Sequence, residues 1–113
     1  MSPALLAAII LVESGGNPLA IGDHGRSVGI LQISGVVVAD VNRLTGTRYK
    51  WPDDCFDPAK SVQICTAYLS HYGGKDASDQ RLARMWNGGP DGNRRASTAG
   101  YWKRVKAKMQ SKP

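Results

Sequence analysis

A chain of 113 residues with 42% hydrophobic content is long enough for one domain with its own core and too short for two ordinary ones, so residues 1–113 are read as a single domain. The apolar runs are far shorter than a membrane span, which excludes a protein built on transmembrane helices. The formal charge of +6 is uneven: residues 1–80 hold six Lys/Arg against eight Asp/Glu, and residues 81–113 hold nine against one, Asp91. Such a basic third either serves solubility or attracts a polyanion.

Ser2-Pro3 reads as a helix start, with Ser2 at the N-cap and Pro3 in the first turn. From Pro3 to about Ser14 the pattern is apolar on nearly all sides, which predicts a buried helix. Gly15-Gly16-Asn17-Pro18 stops it. The run lacks a basic leading segment, so it is not read as a signal peptide. The only glutamate of the chain, Glu13, falls in the last turn of this helix. Apolar surroundings and the negative helix end both disfavour the ionised carboxylate, as a general acid working near neutrality requires.

Ile21 to Ile33 carries Gly22, Asp23, Gly25, Ser27 and Gly29 between short apolar positions and predicts a small hairpin lobe leaning on helices. Ser34 caps a helix through Leu44, ended by Thr45-Gly46, with Val36, Val37, Val38, Val41 and Leu44 on its apolar side. Thr47 to Phe56 reads as a loop with Tyr49 and Trp51 near Arg48 and Lys50. Asp57-Pro58 opens a helix in which Val62, Cys65, Leu69 and Tyr72 recur at helical spacing until Gly73-Gly74, with His71 near its end. Ser78 starts a shorter helix through about Trp86, and Asn87 to Gly92 form a turn-rich loop. Ser97 or Thr98 caps a final helix with Tyr101, Val105 and Met109 on one face. The fold class is therefore mainly α (α+β), with about five helices and one small β-hairpin.

Cys55 and Cys65 permit one disulfide, a local staple that is the favoured reading; Cys65 also reads as a small buried core residue. No Cys/His cluster has metal-ligand spacing, so neither metal nor other cofactor is expected. Ser27 and Ser34 lack the context of an activated nucleophile, and Gly88-Gly89 is not followed by the residues of a phosphate loop. The chemistry rests on Glu13 and Asp23. A carboxylic acid beside apolar residues and a second carboxylate in a polar loop are the pair that glycoside hydrolysis needs, one to protonate the leaving oxygen and one to attack or to stabilise the oxocarbenium ion. His24, beside Asp23, either tunes that carboxylate or is simply solvated.

The segments VESGGNP, GDHGRSVGILQIS, DCFDPAKSVQICTAYLSHYG and ARMWNGGPDGNRRASTAGYWKRVKAKM, in this order, resemble the invertebrate-type lysozymes, also called the destabilase family, of the lysozyme-like superfamily. The resemblance implies a lysozyme-like fold whose hairpin lobe forms one cleft wall. It implies that Glu13 is the general acid and base, that Asp23 is the second catalytic carboxylate, and that Gln32, Asn87 and Tyr101 line or support the cleft. Gln32 and Asn87 read equally as caps of backbone groups, and Tyr101 as a core residue. The chain departs from the family where Gly16 and Asn93 stand at positions usually held by Cys. Trp86 likewise precedes NGGP where a His is common, and its ring suits stacking on a sugar face.

Three readings remain. A muramidase would cleave the β-1,4 bond between N-acetylmuramic acid and N-acetylglucosamine in peptidoglycan glycan strands. A lytic transglycosylase, whose ES…GxxQ…NGGP…Y pattern is also similar, would use one Glu and form a 1,6-anhydro product. A non-catalytic basic module would bind polyanions through Arg94, Arg95, Lys103, Arg104 and Lys106, although no nucleic-acid motif accompanies the charge. The expected setting is secreted, periplasmic or phage-associated, as a monomer, with the basic third facing an anionic bacterial envelope. The low cysteine count fits a microbial or phage relative.

Overall fold

A computed structural model describes residues 1–110. Among them are five α-helices, α1 (Pro3–Ser14), α2 (Gly35–Thr45), α3 (Pro58–Gly73), α4 (Asp79–Gly88) and α5 (Ala99–Gln110), and one antiparallel pair of strands, β1 (Ile21–Gly22) and β2 (Ser27–Val28). The chain divides into two compact units, Glu13–Tyr68, and Met1–Val12 with everything from Leu69 on.

In the unit Glu13–Tyr68, the strands pair Ile21 with Val28 and Gly22 with Ser27, and a further bridge joins Val28 to Ile33. Two pairs per strand give little stability by themselves. The apolar residues that follow, Ile30, Leu31 and Ile33, anchor the lobe in a core with Val38, Val41, Ile64 and Tyr68. Helix α2 starts as its sequence predicts, with the Ser34 hydroxyl accepting from the Val37 amide at 3.4 Å and Gly46 following its last turn. Its β-branched run does not bury all round: Val38 and Val41 are buried, whereas Val36 is 80% exposed. Asn42 pins the next loop by donating to the Tyr49 carbonyl and accepting from its amide, both at 2.9 Å. The expected loop from Thr47 to Phe56 closes in a 3₁₀ turn, Asp53–Phe56. The Asp57 carboxylate then caps α3, accepting from Ala59 and Lys60 amides.

Cys55 and Cys65 are free and fully buried, which corrects the expected disulfide. Each packs as a small core residue. Burial pushes the Cys55 thiol up to about 11, with the negative Asp54 adding to the shift. The buried Ser61 hydroxyl donates to the Cys55 carbonyl at 2.8 Å, so this turn is held by a hydrogen bond where a bridge was expected.

In the other unit, α1 begins as predicted, with the Ser2 hydroxyl accepting from the Leu5 amide at 3.1 Å. The helix is not buried on all sides. Leu5, Ala8 and Ile9 are buried, while Leu11 is 48% exposed and Ala4 and Ala7 face water. Alanine tolerates water at little cost, so a uniformly apolar run does not say which face turns inward. Ser78 caps α4, accepting from Arg81 at 3.1 Å, and Leu82, Ala83 and Met85 form its buried side. The helix runs two residues beyond Trp86, so Asn87 and Gly88 are helical. Two 3₁₀ turns, Gly92–Arg94 and Ala96–Thr98, lead into α5. Gly92 lies against the Arg84 carbonyl so closely that any side chain there would collide with it. Thr98 does not serve as a simple cap. Its buried hydroxyl reaches the Gly92 and Arg95 carbonyls at 2.6 and 2.9 Å and accepts from Arg84 Nε at 2.8 Å. On α5, Tyr101 and Val105 are buried and Met109 is half-buried.

Candidate active site

Glu13 stands in the last turn of α1, half-buried. The next residue, Ser14, fixes this helix end: its hydroxyl donates to the Ile30 carbonyl at 2.8 Å and accepts from the Gly16 amide at 3.1 Å. Gly15 and Gly16 then take positive φ, and Asn17 closes the turn by accepting from the Leu19 amide at 2.9 Å. Ser14 thus ties the Glu13 backbone to the segment that follows β2. The sequence hints at this only through the adjacency of Glu and Ser. The Glu13 charge is felt inside the unit, since the Cys65 thiol is raised first by burial and then by the negative Glu13.

Asp23 opens the turn between β1 and β2, exposed to solvent. Its φ of 51° and the 57° of His24 lie in the left-handed region, which non-glycine residues enter at a cost and which surrounding contacts must maintain. Arg26 supplies several of those contacts. Its amide and its Nε both donate to the Asp23 carbonyl at 3.1 Å, and its Nη2 reaches Asp23 Oδ1 at 3.5 Å. The i,i+3 spacing of Asp23 and Arg26 is the trace of this grip in the sequence. His24 is exposed beside it.

Gln32 does not extend its amide into solvent. Its Nε2 donates to the Ala20 carbonyl at 3.2 Å and to the Gly29 carbonyl at 3.0 Å, so both of its N–H donors are engaged by backbone. Its Oε1 lies where a side chain at position 22 would be, which explains why glycine precedes Asp23. Of the two roles open to Gln32 in the sequence, the backbone cap is the one its contacts fill. Trp51, a residue not assigned to the site, donates its indole N–H to the Ile33 carbonyl at 2.9 Å and rests against Gly35.

The remaining candidates belong to the other unit. Trp86 is half-buried and Asn87 exposed at the end of α4. Tyr101 is only 3% exposed and sits in the core, with the Arg104 guanidinium 5.6 Å from its ring centre. Among the described residues, no group of three His, Cys, Asp or Glu side chains is placed to hold a metal ion.

A model of the Transglycosylase SLT domain family matches residues 1–108. The chain is 35% identical over 114 residues to Lysozyme 1 of Crassostrea virginica, covering 95% of this chain and 59% of that protein. It is 35% identical over 113 residues to a lysozyme of Magallana gigas, covering 93% of this chain and 78% of that protein. The chain therefore spans less than two thirds of the Crassostrea protein. A chain in the crystal structure of Aeromonas hydrophila PliI in complex with Meretrix lusoria lysozyme superposes with a TM-score of 0.80 at 28% identity, covering 95% of this chain and 89% of that one. The match runs over nearly the whole chain, and the chain belongs to the Transglycosylase SLT domain family, with the lysozyme-like fold of the invertebrate lysozymes.

Proposed function

We propose that residues 1–113 act as one catalytic domain, a peptidoglycan muramidase that hydrolyses the β-1,4 bond between N-acetylmuramic acid and N-acetylglucosamine. The observation that carries the reading is the 35% identity, over nearly the whole chain, to a protein named lysozyme. In this reading Glu13 delivers a proton to the glycosidic oxygen as its bond to the anomeric carbon breaks. Asp23 meets the positive charge that develops on that carbon, as nucleophile or as ion stabiliser. Glu13, now ionised, takes a proton from the water that attacks the same carbon, and the enzyme returns to its starting state. In this reading Trp86, Asn87 and His24, which are exposed or half-exposed, are the groups that contact the sugars. The basic residues Arg94, Arg95, Lys103, Arg104 and Lys106 draw the protein to the anionic bacterial envelope, in a secreted, periplasmic or phage-associated setting.

A second reading is favoured by the family match itself, whose description is of transglycosylases. There the 6-hydroxyl of the muramic residue attacks the anomeric carbon in place of water. Glu13 takes its proton, and a 1,6-anhydro end forms. Digestion of purified peptidoglycan with mass analysis of the fragments separates the two. Reducing muramic ends support hydrolysis, anhydro ends overturn it in favour of the second reading, and the absence of fragments overturns both.

A further inference from the structure

We propose that Gln32 is a positioning residue that holds the Asp23 turn in its reactive register, and not a contact to the sugar; this rests on the glycosidase reading above. The hairpin has only two residues in each strand. Its neck is closed by the Gly29 amide on the Ala20 carbonyl at 2.8 Å. The Gln32 amide clamps that same neck, donating to the carbonyl on each side, Ala20 and Gly29, while its Oε1 packs against Gly22, the residue that precedes Asp23. With both N–H donors committed and the oxygen facing the strand, little of the amide is left for a ligand. The backbone carries the same message. Among the described residues, the non-glycine positions with positive φ are Asp23, His24 and Gln32, all within one lobe. Strained conformations persist where surrounding contacts over-determine them. The clamp on the neck and the Arg26 grip on the Asp23 carbonyl are contacts of this kind.

The test is a double-mutant cycle on peptidoglycan cleavage, with Gln32→Met, Asp23→Asn and the pair. A misplaced carboxylate lowers kcat by about 10- to 100-fold in Gln32→Met and leaves KM nearly unchanged. If Gln32 acts through Asp23, the same change costs nothing further when Asp23 is already Asn. Equal losses on both backgrounds, a rise in KM alone, or full activity of Asp23→Asn overturns the proposal. Gly22→Ala, which forces Oε1 away while keeping Gln32, reproduces the effect; a wild-type Gly22→Ala overturns it. Independently of turnover, and where Gln32→Met folds poorly, Gly22→Ala and Gln32→Glu should speed hydrogen exchange at the Arg26 amide, which closes the Asp23 turn, by about tenfold. Unchanged exchange overturns the clamp. Wild-type protein that releases no fragments sinks the glycosidase reading itself, whereas cleavage with additive losses sinks only this inference.

Discussion

In the hairpin turn and its neck, residues 20–29, an irregular backbone is held by the Gln32 side-chain amide and an exposed guanidinium, and Asp23 and His24 take left-handed conformations. The corner between α4 and α5, residues 84–98, is also irregular, yet it is held from within. A buried threonine hydroxyl and Arg84 satisfy its carbonyls, and Gly92 supplies close approach. The first arrangement keeps a carboxylate in water on a strained turn. The second is packing, with its polar groups satisfied internally. A strained, solvent-facing turn suits chemistry, and a satisfied buried one suits stability.

Substitutions should separate these two roles. The largest effect is expected at the helix end beside the lobe: Glu13→Gln should lower peptidoglycan-clearing activity by about 10²–10⁴-fold, the range of a general acid, with an unchanged melting curve. Residual activity near wild type would break the assignment of the lobe to chemistry. In the corner, Thr98→Val removes the hydroxyl and keeps the shape, leaving the Gly92 carbonyl and Arg84 Nε without that partner. It should cost about 1–3 kcal/mol in denaturant unfolding. Its effect on kcat, measured well below the melting temperature, should be small; a large loss of kcat at intact stability would undo the contrast.

A moderate, pH-dependent effect is expected at the buried thiols. The folded Cys55 thiol is raised from 9.0 to about 11, so the stability it contributes is present below 9.0 and is lost as pH rises through about 11. Cys65 is shifted in the same direction. Unfolding free energy should therefore fall across this alkaline window, and Cys55→Ala should flatten the slope. At pH 8 neither thiol should react with an aromatic disulfide reagent until the protein unfolds; rapid labelling of the native protein would contradict their burial. The smallest effect is expected at Arg26→Met. Its ion pair with Asp23 is exposed, with the two side chains 69% and 62% accessible, so stability should change by about 0.5 kcal/mol or less. A larger loss in thermal unfolding would mean that the lobe, like the corner, is held mainly for stability.

Much of this was legible because it is local. Ser2, Ser34, Ser78 and Asp57 cap helices where their hydroxyl or carboxylate can reach amides two or three residues on. The glycines after Glu13, Leu44 and Tyr72 end helices at the expected places. Glu13 and Asp23 stand out as candidates by residue type and spacing alone. What was misread depended on partners distant in the chain. The valine run of α2 looked like one apolar face, but Val38 and Val41 are buried and Val37 half-buried, while Val36 remains in water. The two cysteines looked like a staple, but the Ser61 hydroxyl holds the Cys55 turn. Thr98 looked like a cap and instead gathers carbonyls from the preceding turns.

The sequence alone determined the helices, the turn that presents Asp23 and the place of Glu13 at a helix end, because capping, helical periodicity and glycine turns act over a few residues. Only the tertiary structure decided that Gln32 faces the hairpin neck, that Ser14 reaches Ile30 and that both thiols stay unbridged. Those outcomes turn on hydrogen bonds between residues far apart in sequence and on which apolar surfaces meet, and neither is written in any short stretch of the chain.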